Sequence, residues 1–249
     1  MSSFSVLGVR VDAVQIPGVV ATMEEWIRQR KGARFIAVTG MHGVMESRQS
    51  PEFKRVLNGA GLVVPDGMSL VWVGRRLGRK LDRRVYGPEL METFLRQTGN
   101  RYAHFLYGGA PGVAETLAQR LQERFKTRVV GVYCPPFRPL NEAEEREVAA
   151  MVERLRPDVI WVGLSTPTQE KWMHSHRNLP VPVMAGVGAA FDFLTGTARQ
   201  APPWMRENGL EWFYRLVSEP RRLWYRYLVL GSKFAWFVSL QLLRLKQFD

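Results

Sequence analysis

Cysteine is almost absent: Cys134 is the only one in 249 residues. This excludes an internal disulfide framework and a clustered-thiolate zinc site. Histidine is scarce as well, at positions 42, 104, 174 and 176. His174 and His176, two apart on an expected helix, point in different directions. No Asp-x-Asp occurs, so neither a metal nor another cofactor is expected. The Gly-x-Ser-x-Gly elbow of a serine hydrolase is missing. So are the Gly-Lys-Ser/Thr of a P-loop and the GxGxxG dinucleotide spacing. A membrane span needs about 20 predominantly apolar residues. The most apolar stretch, 227–243, is interrupted by Gly231, Ser232, Lys233, Ser239 and Gln241. No charged leader precedes the apolar start of the chain, and Asp12 interrupts it. A secretory signal is therefore not expected, and cytoplasm is the default.

Acidic charge is also in deficit. Thirty-five Lys and Arg, only seven of them Lys, face twenty-three Asp and Glu, for a net charge of +12. Such a balance calls for an anionic partner: nucleic acid, a phosphorylated small molecule or an acidic membrane surface. Arginine suits bidentate phosphate contacts in particular. With 46% apolar and 23% charged residues, the chain has the composition of a globular protein with a real core.

Strand-like runs at 34–39, 62–65, 103–107, 128–133, 158–163 and 181–186 are short, apolar and without alternation, as in strands covered on both faces. Amphipathic stretches lie between them with readable starts: Ser50-Pro51-Glu52, Gly87-Pro88-Glu89 and Asn141-Glu142-Ala143-Glu144. This alternation predicts an α/β fold with an open, largely parallel, Rossmann-like sheet and helices on both faces. Residues 4–14 read as a hairpin or edge strand pair. Composition shifts near residue 199. Beyond it Pro202-Pro203 leads into helical stretches holding four of the eight tryptophans, and 221–249 carry six basic residues against Asp249. Two domains are expected: a Rossmann-like core, 1–198, and a basic, aromatic helical appendage, 199–249. The appendage suits either a cap on the core or an amphipathic surface lying in membrane headgroups.

Ligands of open parallel sheets bind outside the carboxyl ends of the strands. Five segments fall there. Gly108-Gly109-Ala110-Pro111-Gly112 opens a helix whose free N–H groups attract phosphate, or forms a plain tight turn. Pro65-Asp66-Gly67 offers a carboxylate that either caps the next helix or serves as a general base. Thr39-Gly40-Met41-His42 brings a hydroxyl and an imidazole to the same rim. The basic run Arg75–Arg84 suits phosphate or a solvated face; no nucleic-acid motif interleaves with it. In Ser165-Thr166-Pro167-Thr168-Gln169-Glu170, Ser165 or Thr166 can cap a helix that starts at Pro167, with Gln169 reaching toward a ligand.

These segments, in this order, resemble the WecG/TagA/CpsF bacterial glycosyltransferases (glycosyltransferase family 26). The likeness continues through Gly186-Val-Gly188-Ala-Ala-Phe191-Asp192 and Gly209-Leu-Glu211-Trp212 to Glu219-Pro220-Arg221-Arg222. It implies inverting, metal-independent transfer of an N-acetylmannosamine-like hexose from a UDP-sugar to a polyprenyl-diphosphate-linked sugar in cell-surface polysaccharide synthesis. Asp66 would be the base. Thr39, His42, Arg84, Gln169, Arg215, Arg221 and Arg222 would contact substrate, and Gly108, Gly109, Gly186, Gly188 and Asp192 the nucleotide. The enzyme would sit peripherally on the anionic inner face of the cell membrane, as a monomer or a homo-oligomer. Relatives commonly read Thr-x-Asn where this chain has Thr39-Gly40-Met41, and Arg-Ala-Pro where it has Gln200-Ala201-Pro202. A non-catalytic module binding nucleotide or anionic lipid is the rival reading.

Overall fold

The computed structural model describes residues 2–248. Eight strands form: β1 (Ser3–Val6), β2 (Val9–Asp12), β3 (Arg34–Thr39), β4 (Leu62–Pro65), β5 (Ala103–Gly108), β6 (Arg128–Tyr133), β7 (Val159–Gly163) and β8 (Val183–Gly186). Six of them make a parallel sheet of order β4-β3-β8-β7-β5-β6, flanked by helices. All six had been predicted at these places, to within two residues. β5 and β8 are buried along their whole length, as unbroken apolar runs require. β6, on the edge, is half-exposed.

The chain forms two compact units. The first comprises Met1–Gln15, Val38–Tyr86 and Arg199–Asp249. The second comprises Ile16–Ala37 and Gly87–Ala198.

In the first unit β1 and β2 pair antiparallel in the expected hairpin. Its turn, Leu7-Gly8, has positive φ at both residues, as two-residue hairpins prefer. The hairpin covers the edge strand β4: the Asp12 carboxylate accepts a hydrogen bond from Val63 N at 2.8 Å. Phe4 and Leu81 press on the helix Met68–Arg76 at Gly74, where a Cβ would stand 2.7–2.8 Å from both. The helix Pro51–Asn58 starts as expected, with Ser50 Oγ accepting from Phe53 N and Pro51 in the first turn. Such a cap contributes about 1 kcal/mol. Beyond residue 199 come the helices Pro203–Glu207, Glu211–Ser218 and Pro220–Trp224, then a π-helical turn, Tyr225–Leu230, running directly into the helix Gly231–Leu242. Gln241 fastens that last helix to the hairpin: it accepts from Leu7 N and donates to Ser5 O.

In the second unit the core holds an aromatic cluster of Phe94, His104 and Trp161. Trp161 Nε1 donates to His104 Nδ1 at 3.1 Å. Burial, with Arg128 adding to it, lowers the His104 pKa to about 3, so the ring is a neutral core residue. Asn141 caps the helix Glu142–Leu155 in a full capping box with Glu144.

Candidate active site

Thr39, His42, Asp66, Arg84, Arg215, Arg221 and Arg222 belong to the first unit, and Gly108, Gly109, Gln169, Gly186, Gly188 and Asp192 to the second.

In the first unit the ends of β3 and β4 are tied together, Asp66 N donating to Thr39 O at 2.9 Å. Thr39 is buried, and its Oγ1 makes no hydrogen bond. The helix after Asp66 begins with Gly67 at its N-cap and has no side-chain cap. Val85 N donates to Pro65 O at 2.8 Å, which draws 84–86 alongside 65–66. Arg84 then donates one N–H to the Asp66 carbonyl at 3.4 Å and another to the Glu211 carboxylate, and lies 4.2 Å from the Tyr86 ring centre. Glu211 reaches this point because Gly209, with positive φ, lets the chain pass tightly over Met68 and Trp72. Burial works against the Arg84 charge, yet Asp66 and Glu211 outweigh it and raise its pKa. Burial, reinforced by Glu211 and Asp66, likewise pushes the Tyr86 phenol far up, so it remains a proton donor.

A second cluster surrounds Arg226. Burial holds its pKa below the usual arginine value; repulsion from Arg215 and Arg222 adds to this, while Tyr227 and Glu46 oppose it. His42 lies in the same field, its Nδ1 3.6 Å from Glu46 Oε1. Burial, then Arg226, lowers its pKa to about 4, so the imidazole is neutral near pH 7. Arg222 also pairs with Glu219 at 2.6 Å, and Arg221 is exposed. Arg215, Arg222 and Arg226 thus share one electrostatic neighbourhood with the carboxylates of Glu46 and Glu219.

The second unit presents backbone rather than ions. Gly108, Gly109 and Gly112 all have positive φ, and a Cβ on Gly108 would stand 2.6 Å from Gly163 O. Gly109 N donates to that same oxygen at 3.0 Å. The helix Val113–Phe125 begins at Gly112 with no side-chain cap. At Gly186 a Cβ would meet Met173 and Gln169 at 2.8–3.0 Å, and Gly188, also at positive φ, begins the turn toward Asp192.

The expected cap on the next helix is not made. The helix starts at Thr168, with Pro167 at the N-cap and no side-chain cap. The Thr166 hydroxyl donates instead to Glu170 Oε1 at 2.8 Å. Gln169 is buried, donating from Nε2 to Glu170 Oε1 at 2.9 Å and accepting at Oε1 from Gly188 N at 3.1 Å. Glu170 is fully buried, which raises its carboxyl pKa, and Oε2 has no hydrogen-bond partner.

The family described as "Glycosyl transferase WecG/TagA/CpsF family" matches residues 4–248. The chain belongs to it. A Bacillus spizizenii (strain W23) relative is 34% identical over 206 residues, 82% of this chain and 77% of its own. One from Bacillus subtilis (strain 168) is 29% identical over 82% and 78%, and one from Staphylococcus aureus (strain MRSA252) 27% over 88% and 85%. All three are named N-acetylglucosaminyldiphosphoundecaprenol N-acetyl-beta-D-mannosaminyltransferase.

As a WecG/TagA/CpsF glycosyltransferase, the chain has within each unit residues in these clusters that the motifs alone left unremarked. Glu211 pairs with a residue 127 positions away, a contact that no local spacing encodes. Arg226 had a readable signal, since it follows Arg222 by four on one helical stretch. Glu170 lies inside the Ser165–Glu170 segment, and Tyr86 two residues beyond the basic run that ends at Arg84. No helix of the described residues is long and apolar enough to cross a membrane, and no group of three or more His, Cys, Asp or Glu among them could hold a metal ion.

Proposed function

We propose that the enzyme transfers N-acetylmannosamine, or a closely related hexose, from its UDP derivative to a polyprenyl-diphosphate-linked N-acetylglucosamine in cell-surface polysaccharide synthesis, with inversion. Asp66 takes the proton of the acceptor hydroxyl, that oxygen bonds the anomeric carbon, and the bond to UDP breaks on the opposite face. Arg84, held by Glu211, fixes the Asp66 backbone, and Thr39, His42 and Gln169 orient the sugars. The charge that builds on the departing diphosphate falls to Arg215, Arg221, Arg222 and Arg226, without a metal. The uncapped start of the helix Val113–Phe125, which follows the Gly108–Gly112 turn, and the shape of the Gly186–Asp192 turn receive the nucleotide.

The observation that carries this reading is the joining of Thr39, Asp66, Arg84 and Glu211 at the ends of β3 and β4, where a carboxylate and a guanidinium share one strand-end rim. The name that the relatives share supports the choice of sugars. The test is UDP release from a panel of UDP-sugars presented with polyprenyl-diphosphate N-acetylglucosamine. Release is expected with UDP-N-acetylmannosamine and only when acceptor is present. No acceptor-dependent release from any UDP-sugar would refute the assignment.

Residues 199–249 also serve, in this reading, as an appendage holding the enzyme on an anionic cytoplasmic membrane face. Trp204, Trp212, Phe213, Trp224 and Trp236 are all exposed there, beside the basic residues of 221–246. Replacing these five aromatics by Ser should lower sedimentation with anionic vesicles about tenfold or more. Unchanged sedimentation would rule out this surface.

A further inference from the structure

Gln169 can support Gly188 in only one orientation of its amide. Its Oε1 accepts from Gly188 N, so its Nε2 must point away, toward Glu170. A flipped amide would set two N–H donors against each other at Gly188 and two oxygens against each other at Glu170. The only hydrogen-bond partner of Nε2 is Glu170 Oε1, which also takes the Thr166 hydroxyl. The group receiving both donors is a fully buried carboxyl, which is costly to maintain in a core unless something depends on it. What depends on it is the turn after β8. There Val187 N is bound to Val162 O, and Gly188, in the left-handed region, directs the chain into the helix that carries Asp192.

We propose that Glu170 is a positioning residue: through Gln169 it holds the Gly186–Gly188 turn in the shape that receives the donor nucleotide. This rests on the nucleotide role proposed above for that turn. Glu170 itself touches no substrate. Its effect is to keep one amide rotamer populated, and so to keep the Gly188 N–H bound and its peptide plane fixed.

The test combines two measurements on the whole protein. The first is amide exchange at single-residue resolution without substrate, which needs no assumption about the reaction. In Glu170→Met, the Gly188 amide should exchange about tenfold faster or more, while amides of β5 and β7 keep wild-type protection. In Glu170→Gln, which retains an acceptor oxygen, Gly188 should return to within about threefold of wild type. The second is the kinetics of UDP release. Glu170→Met should raise KM for the UDP-sugar about tenfold with kcat within about threefold, and Glu170→Gln should recover most of that loss. If Glu170→Met does not fold, Thr166→Val, which removes the second donor to Oε1, should give a smaller rise confined to Gly188.

Unchanged Gly188 exchange in the first variant that folds would overturn the proposal. So would faster exchange throughout the unit, or a fall in kcat with KM unchanged. If the wild type turns over no UDP-sugar, the functional reading fails while the exchange result still decides the role of Glu170.

Discussion

Around Asp66, polar side chains meet as ions: Arg84 with Glu211, and Arg226 against Arg215 and Arg222. Around Gln169, contacts run through backbone N–H groups, one amide and close-packed glycines, and the carboxyl present, Glu170, is pushed toward its neutral form by burial. The first arrangement can respond to charge that moves during a reaction, because long charged side chains reorient at modest cost. The second cannot respond, but it presents a fixed shape to whatever binds. Transfer of a glycosyl group from a diphosphate needs both: a field that follows the leaving charge, and a cradle that does not move while it develops.

The largest expected effect is on the ionic side. Asp66→Asn should lower turnover by about 10²–10⁴ with thermal stability preserved, as measured by UDP release and calorimetry. A loss below tenfold would remove Asp66 as base. On the glycine side the loss should appear as stability instead. Gly108→Ala forces a Cβ into Gly163 O at positive φ and should cost about 2–4 kcal/mol in denaturant unfolding.

Arg84→Met should cost about 2–3 kcal/mol, because it leaves the Glu211 carboxylate buried and unpaired. Arg84→Met/Glu211→Met should recover part of that stability without recovering activity. Full additivity of the two substitutions would mean that the pair is not coupled.

The smallest effect is a matter of pH. His42 and His104, one in each unit, both have folded pKa values below the unfolded value of 6.5, at about 4 and about 3. The unfolded chain therefore binds more protons below pH 6.5. Their contribution is fully present above that value and is lost as pH falls toward about 4 for His42 and about 3 for His104. His42→Asn should flatten the loss between pH 6.5 and 4 by at most about 3 kcal/mol, leaving the slope that His104 and the other shifted groups contribute. An unchanged slope would show that His42 is not neutral in the folded protein.

Much of this was legible before any coordinates. The six sheet strands announce themselves as short, mostly apolar runs without alternation, and Ser50-Pro51 and Asn141 through Glu144 are capping signals that work locally. Asp66 and Arg84 could be picked out because strand ends collect ligands. What stayed hidden was long-range or competitive. Glu211 meets Arg84 only after the chain has turned over Met68 and Trp72 at Gly209. Thr166 carries the residue type of a helix cap, yet a buried carboxyl four positions on takes its hydroxyl. Of the boundaries between the two units, the one at Arg199 coincides with the composition shift, whereas the others carry no such signal, since the first unit is assembled from three separate segments.

Ser5 and Leu7 wait for the amide of Gln241, more than two hundred residues later. During synthesis, every part of the second unit has emerged once Ala198 has, whereas the first stays unfinished until its third segment appears. A ribosome stalled before the last helix would thus hold out a finished half and an unsealed one, and the earliest residues made would be among the last secured.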